Sequence, residues 1–150
     1  MNCACCPRKC TVQRDKTAGV CGVKDEFKVA KHQLHMWEEP CISGKAGSGT
    51  IFFSGCNLKC VFCQNYKISH LANGEYISDE RLVEMACELF ALGAQNINLV
   101  TPTHYALRLA RVLPEIKQKT GLPIIYNCSG YEDPEALCAL RGHVDIYLRI

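Results

Sequence analysis

The sequence predicts an α/β fold in which about four parallel strands alternate with helices, behind an irregular, cysteine-rich N-terminal segment. Three observations carry this. Thr50-Ile51-Phe52-Phe53-Ser54 is a short apolar run without alternation, the mark of a strand buried on both faces. Strand-like and helix-like stretches then follow one another to Leu148 with connections of a few residues, a pattern that demands parallel strands and right-handed crossovers. The twelve cysteines in 150 residues bunch, five before residue 22 and three between 56 and 63. The chain divides into a cysteine-rich segment, 1–45, and an α/β portion, 46–150.

Residues 1–45 read as irregular. Cys3, Cys6, Cys10 and Cys21 are the most cluster-like selection, with Cys5 spare. Four thiolates close a site completely, which suits a second iron–sulfur cluster or a zinc ion, and spacing does not choose between them. An unliganded tail is the plainer alternative. Cys6-Pro7-Arg8-Lys9-Cys10 sets two cations beside thiolates, an arrangement expected to lower their pKa. His32 and His35, around Leu34, read as packing or surface residues. The glycines of Ser43-Gly44-Lys45-Ala46-Gly47-Ser48-Gly49 mark a loop, but no helix follows to make it a phosphate cradle.

At the C-terminal end of the Thr50–Ser54 strand comes Cys56-Asn57-Leu58-Lys59-Cys60-Val61-Phe62-Cys63. Strand ends of this kind are the functional edge of α/β sheets. Three thiolates spaced C-x3-C-x2-C can bind three corners of a cubane iron–sulfur cluster and leave one iron open, and open metal positions belong to catalytic sites. A zinc loop or three packed cysteines are the bland alternatives.

Beyond this loop, Ser78 caps a predicted helix with Asp79 and Glu80 in its first turn, Leu82, Ala86, Leu89 and Phe90 on one face and Gly93 at its end. Asn96–Thr101 is a second strand. Thr103 is expected to cap the next helix, which runs to Gly121 with a kink at Pro114. Leu122–Asn127 is a third strand, Asp133-Pro134-Glu135 opens a helix that Gly142 ends, and Val144–Leu148 is a fourth strand.

Charge excludes some partners. Seventeen basic residues against fifteen acidic ones, with no long run of either sign, give no nucleic-acid footprint and no polybasic membrane patch. The opening Met1-Asn2-Cys3 stretch lacks the charged head and apolar run of a secretion signal, and no later stretch approaches membrane-spanning length. A cytoplasmic protein is expected, and in a reducing cytosol bunched cysteines read as metal sites.

With the cysteine loop, the buried strand before it and the βα repeats after it, the chain resembles the radical SAM superfamily. Cys6-Pro7-Arg8, Glu38-Glu39-Pro40-Cys41-Ile42-Ser43-Gly44, Gly47–Phe53 and Asn98-Leu99-Val100-Thr101-Pro102-Thr103-His104-Tyr105 resemble more narrowly its pyruvate formate-lyase activating enzyme-like branch. The resemblance implies a partial (β/α) barrel and a [4Fe-4S] cluster on Cys56, Cys60 and Cys63 whose open iron chelates S-adenosylmethionine. It also implies reductive cleavage of that cofactor to a 5′-deoxyadenosyl radical, which takes hydrogen from a substrate such as a glycine of a partner enzyme. No catalytic residue beyond the cluster ligands is expected. Phe62 matches the position that packs on adenine. Thr101-Pro102-Thr103 stands where the family has Gly-Gly-Glu, making Thr101 and Thr103 candidates for methionine contact, with Asn127 and Ser129 as polar cofactor contacts at the third strand end. A protein electron donor such as flavodoxin or ferredoxin is implied. Relatives continue beyond the fourth strand, so the chain reads as an N-terminal portion, expected to be marginally folded by itself. A non-catalytic iron–sulfur carrier would need a fourth ligand from Cys41, Cys87 or Cys128.

Overall fold

The computed structural model describes Cys3–Arg149. Met1 and Asn2, which open the stretch read as lacking a secretion signal, and Ile150, where the sequence stops, lie outside the described residues. Six strands form one mixed sheet: β1 (Phe27–His35), β2 (Ser48–Phe53), β3 (Glu75–Ile77), β4 (Ile97–Val100), β5 (Ile124–Cys128) and β6 (Ile146–Arg149), in the order β3-β1-β2-β4-β5-β6. The four expected parallel strands are β2, β4, β5 and β6. The helices are α1 (Pro40–Ser43), α2 (Tyr66–Ser69), α3 (Asp79–Ala91), α4 (Ala106–Thr120) and α5 (Pro134–Ala139).

The segment expected to be irregular is corrected over residues 27–35. There β1 runs antiparallel to β2, with Gln33 opposite Thr50, and carries the short antiparallel β3 on its other side. Only Phe27 and Val29 of its nine residues are buried, so the strand lacks a sustained apolar alternation. Pairing with an already buried neighbour, rather than its own pattern, makes it a strand. A bulge between Val29 and Lys31 breaks its register further.

In the parallel part, Phe52, Val100, Asn127 and Leu148 stand at one level across four strands. Their C-terminal ends therefore emerge at one edge, where the cysteine loop leaves β2. Leu82, Ala86 and Leu89 of α3 and Leu109, Leu113 and Ile116 of α4 are fully buried in one core with Ile51, Phe53, Ile97, Leu99 and Ile124. Each large side chain buried this way contributes about 1.5–3 kcal/mol. Phe27, Phe53 and Tyr105 add an aromatic trio with ring centroids 5.2–5.7 Å apart.

Local signals behave unevenly. The Ser78 Oγ accepts the Arg81 amide at 3.1 Å, and Asp133 Oδ1 accepts the Glu135 amide at 3.0 Å, so both caps form as expected. Phe90, expected on the buried face of α3, is 47% exposed, and Met85 takes the inward place instead. Thr103 is not a helix cap. It opens a 3-10 turn, Thr103–Tyr105, that leads straight into α4, and its hydroxyl is used elsewhere. The helix α4 continues through Pro114, which has no amide to give the carbonyl of Ala110, and ends at Gly121 in the left-handed conformation.

Candidate functional site

The cysteine loop is tied down at both shoulders. Gly55 donates its amide to the Ile68 carbonyl at 2.9 Å, and the Cys56 amide donates to the Cys21 carbonyl at 3.1 Å. Gly55 has φ +81°, and a Cβ there would stand 2.6 Å from the Cys21 carbonyl oxygen, so only glycine permits this approach. Asn57, buried, donates from Nδ2 to the Tyr131 carbonyl beyond β5 at 3.0 Å, and its own carbonyl accepts from Arg8 Nε at 2.8 Å. Sequence reasoning passed over Asn57 because a polar residue between two cysteines has no periodic signal.

Two hydrogen bonds point at loop sulfurs: the Leu58 amide to Cys56 Sγ at 3.4 Å and Ser69 Oγ to Cys63 Sγ at 3.3 Å. Such donors stabilise a thiolate and tune any metal it holds. The tip is open to solvent, with Val61 93% and Phe62 84% exposed, so Phe62 fills no core.

Between this loop and the next two strand ends lies a cavity of about 380 Å³, within the size range of small-ligand sites. Cys56, Cys60, Phe62 and Cys63 form one wall, while Thr101 and Thr103 after β4, and Asn127 and Ser129 at β5, form the other. Every residue expected at the central site thus lines one space. Thr101 holds φ +59°, a strained conformation for a β-branched residue. Thr103 Oγ1 donates to Glu132 Oε1 at 2.6 Å, and Tyr126 donates from its hydroxyl to Glu132 Oε2 at 3.1 Å. Glu132 therefore brings a carboxylate to the turn that follows β4. Its position, 29 residues downstream of Thr103 in a loop, carries no sequence signal. Of the alternative fourth ligands, Cys128 lines the cavity, where burial pushes its thiol up to about 11; Cys41 and Cys87 do not line it.

The N-terminal thiols sit apart from this cavity. Cys5, Cys6 and Cys21 are buried, and Cys3 and Cys10 are half-buried. The expectation that the Arg8 and Lys9 charges lower the Cys6 thiol is not met, although the Arg8 backbone N–H acts in that direction. Burial pushes Cys6 up, while Arg8 turns to Asn57 and to the Tyr131 ring, and Lys9 to Asp133 at 3.9 Å. Among the described residues no three His, Cys, Asp or Glu side chains are gathered closely enough to hold a single metal ion, at either thiol set. His32 pairs with Glu88 at 2.7 Å and His35 meets the edge of Phe52, as surface and packing residues do.

The sequence profile of the radical SAM superfamily matches residues 50–150, two thirds of the chain and all of the cavity's walls. The chain belongs to the radical SAM superfamily. An uncharacterized protein of Methanocaldococcus jannaschii is 32% identical over 155 aligned residues, covering 98% of this chain and 44% of that relative's length. The chain thus spans less than half of the curated relative it matches. No solved structure matches it. Radical SAM membership implies an enzyme with a [4Fe-4S] cluster and S-adenosylmethionine. The cavity fits that pair: the three loop cysteines share it with Cys128, and no carboxylate or imidazole stands among its lining residues to compete for iron. Among the described residues no helix is long and apolar enough to cross a membrane.

Proposed function

We propose that Cys56, Cys60 and Cys63 hold the radical SAM cluster, and that the cavity they share with Thr101, Thr103, Asn127 and Ser129 seats S-adenosylmethionine. The observation that carries this reading is the placement of all these residues around one 380 Å³ space at the C-terminal edge of the parallel strands. When bound, the cluster and cofactor supply one-electron cleavage of the sulfonium to methionine and a 5′-deoxyadenosyl radical. The protein's own residues bind and orient. Phe62 stacks on the adenine, the Thr101 and Thr103 turn meets the methionine end, and Glu132 holds Thr103 in place. Asn127 and Ser129 offer hydrogen bonds to the ribose.

The segments shared with the pyruvate formate-lyase activating enzyme-like branch support a protein substrate, a glycine in a partner enzyme, and a flavodoxin or ferredoxin as reductant in the cytoplasm. The exposed Val61-Phe62 tip supports a macromolecular partner at the cavity mouth.

One observation favours a second reading. Cys128 stands in the cavity wall, and if it closed the cluster the protein would be an electron carrier. Iron and sulfide analysis of anaerobically reconstituted Cys128→Ala separates the two. The radical reading expects unchanged cluster content and unchanged 5′-deoxyadenosine formation, whereas loss of the cluster supports the carrier.

A further inference from the structure

The N-terminal thiols gather at a buried cation, Arg14. Arg14 is only 4% exposed. Its Nη1 lies 3.9 Å from Cys3 Sγ and 3.8 Å from Cys5 Sγ and donates to the His104 carbonyl, while its Nη2 donates to the Lys24 carbonyl at 2.6 Å. The Nε–H is buried without any partner. No carboxylate pairs with Arg14 among the described residues; its guanidinium lies 5.3 Å from the centre of the Tyr105 ring and beside the Cys3 and Cys5 sulfurs. A buried cation among thiols, with one donor unused, calls for an anionic group beside it.

The place for that group is at Gly19. A Cβ placed there would stand 3.5 Å from Cys10 Sγ, 3.6 Å from Cys21 Sγ and 3.9 Å from the Arg14 Cδ. A Cβ at Gly19 would therefore touch both thiols and the arginine at once, which marks the point where the three groups meet. Cys6 and Cys21 are buried, and backbone bonds from the Lys9 amide to the Cys6 carbonyl at 3.1 Å and from the Cys3 amide to the Val12 carbonyl at 3.3 Å fold the Cys3–Cys10 stretch back on itself. Cys3 and Cys5 both flank Arg14 and both line a separate cavity; it is the spacing of Cys3, Cys6 and Cys10 that leaves Cys5 spare.

We propose that Cys3, Cys6, Cys10 and Cys21 hold a second iron–sulfur cluster, closed by four thiolates, with the Arg14 Nε–H directed to it and Cys21 linking it to the cysteine loop. The thiols are spread too widely for one ion. Zinc holds its sulfurs at about 2.3 Å, which sets tetrahedral neighbours roughly 3.8 Å apart. A cluster puts a separate iron under each thiolate and suits the wider spread, as it does at Cys56, Cys60 and Cys63. A closed cluster has no position for a substrate, so its work is to accept and pass on one electron. Iron in it is reduced from ferric to ferrous by a low-potential carrier protein and returns to ferric when the electron leaves, with no bond made or broken. Its exit is defined by the Cys21 carbonyl, which accepts the Cys56 amide at 3.1 Å. The electron-entry role rests on the proposed function; the metal site itself does not.

The test uses the anaerobically reconstituted full chain carrying Cys56→Ala, Cys60→Ala and Cys63→Ala. It should keep about half of the unmutated iron and sulfide, with a reduced-state paramagnetic signal that S-adenosylmethionine leaves unchanged. Adding Cys10→Ser should remove that remainder, whereas adding Cys5→Ser should not. Mössbauer spectroscopy of the unmutated protein should count two clusters per chain, a result independent of how any variant folds. A triple variant without iron, a zinc ion in place of iron and sulfide, a single cluster in the unmutated chain, or equal losses from Cys5→Ser and Cys10→Ser would overturn the proposal. Conversely, Cys10→Ser with the loop intact should retain a cluster whose signal S-adenosylmethionine alters. Failure there strikes the proposed function and leaves the second site standing.

Discussion

Glu132 is the side chain whose role is most open to a direct measurement. Each of its two carboxylate oxygens takes one hydroxyl, from Thr103 and from Tyr126, beside the turn at the end of β4. Glu132 does not line the cavity but holds Thr103, which does, through a hydrogen bond to a carboxylate of a kind worth about 1.5–3 kcal/mol. Glu132→Gln should therefore loosen Thr103, weaken S-adenosylmethionine binding several-fold and lower the melting temperature. Equilibrium binding to the reconstituted protein checks this. His104 makes a second prediction. Burial, with the nearby Arg14 charge, lowers its pKa from 6.5 to about 3, while its ring nitrogen Nε2 meets the Ser54 carbonyl at 2.9 Å. The folded state keeps the ring neutral, and the unfolded state takes a proton below about 6.5. This contribution to stability is therefore present above pH 6.5 and is lost as pH falls from there toward 3. Chemical denaturation of the apo protein across that range should show the decline, and His104→Gln should flatten it. Equal slopes in the two proteins would contradict it.

The cysteine loop was legible as an element because its chemistry is written in spacing, and the strand before it because both faces are buried. The 27–35 strand was not legible. Lys31, His32 and Gln33 interrupt its apolar positions, and it is selected by β2 rather than by itself. Thr103 was misread for a related reason: threonine before a helix is an ordinary cap signal, and only the fold brings Glu132 within 2.6 Å of it. The junction between the N-terminal segment and the loop was equally hidden, because it is made by backbone atoms of Cys21 and Cys56 across a glycine. Gly55→Ala should disrupt that junction, since its Cβ would meet the Cys21 carbonyl at 2.6 Å and Val23 Cγ1 at 2.9 Å. Faster hydrogen exchange at the Cys56 amide and a stability loss of about 1–3 kcal/mol are expected. Unchanged exchange would show that the segment and the loop are not coupled.

At the scale of the molecule, in-register parallel strands decide what can meet. Phe52, Val100, Asn127 and Leu148 stand level, so the residues just beyond them converge on one edge however far apart they lie in sequence. That convergence places Cys56, Thr101 and Ser129 around one cavity. The antiparallel β1 and β3 widen the sheet on the other side without reaching it. The proposed cluster and cofactor site rests on this edge, and its most direct test is the paramagnetic resonance spectrum of the reduced, reconstituted protein with and without S-adenosylmethionine, read beside 5′-deoxyadenosine release. The Cys10→Ser background isolates the loop. A signal altered by the cofactor, together with 5′-deoxyadenosine that disappears in Cys60→Ala, is the predicted result. A fully loaded cluster on Cys56, Cys60 and Cys63 whose spectrum ignores S-adenosylmethionine and yields no 5′-deoxyadenosine would contradict it.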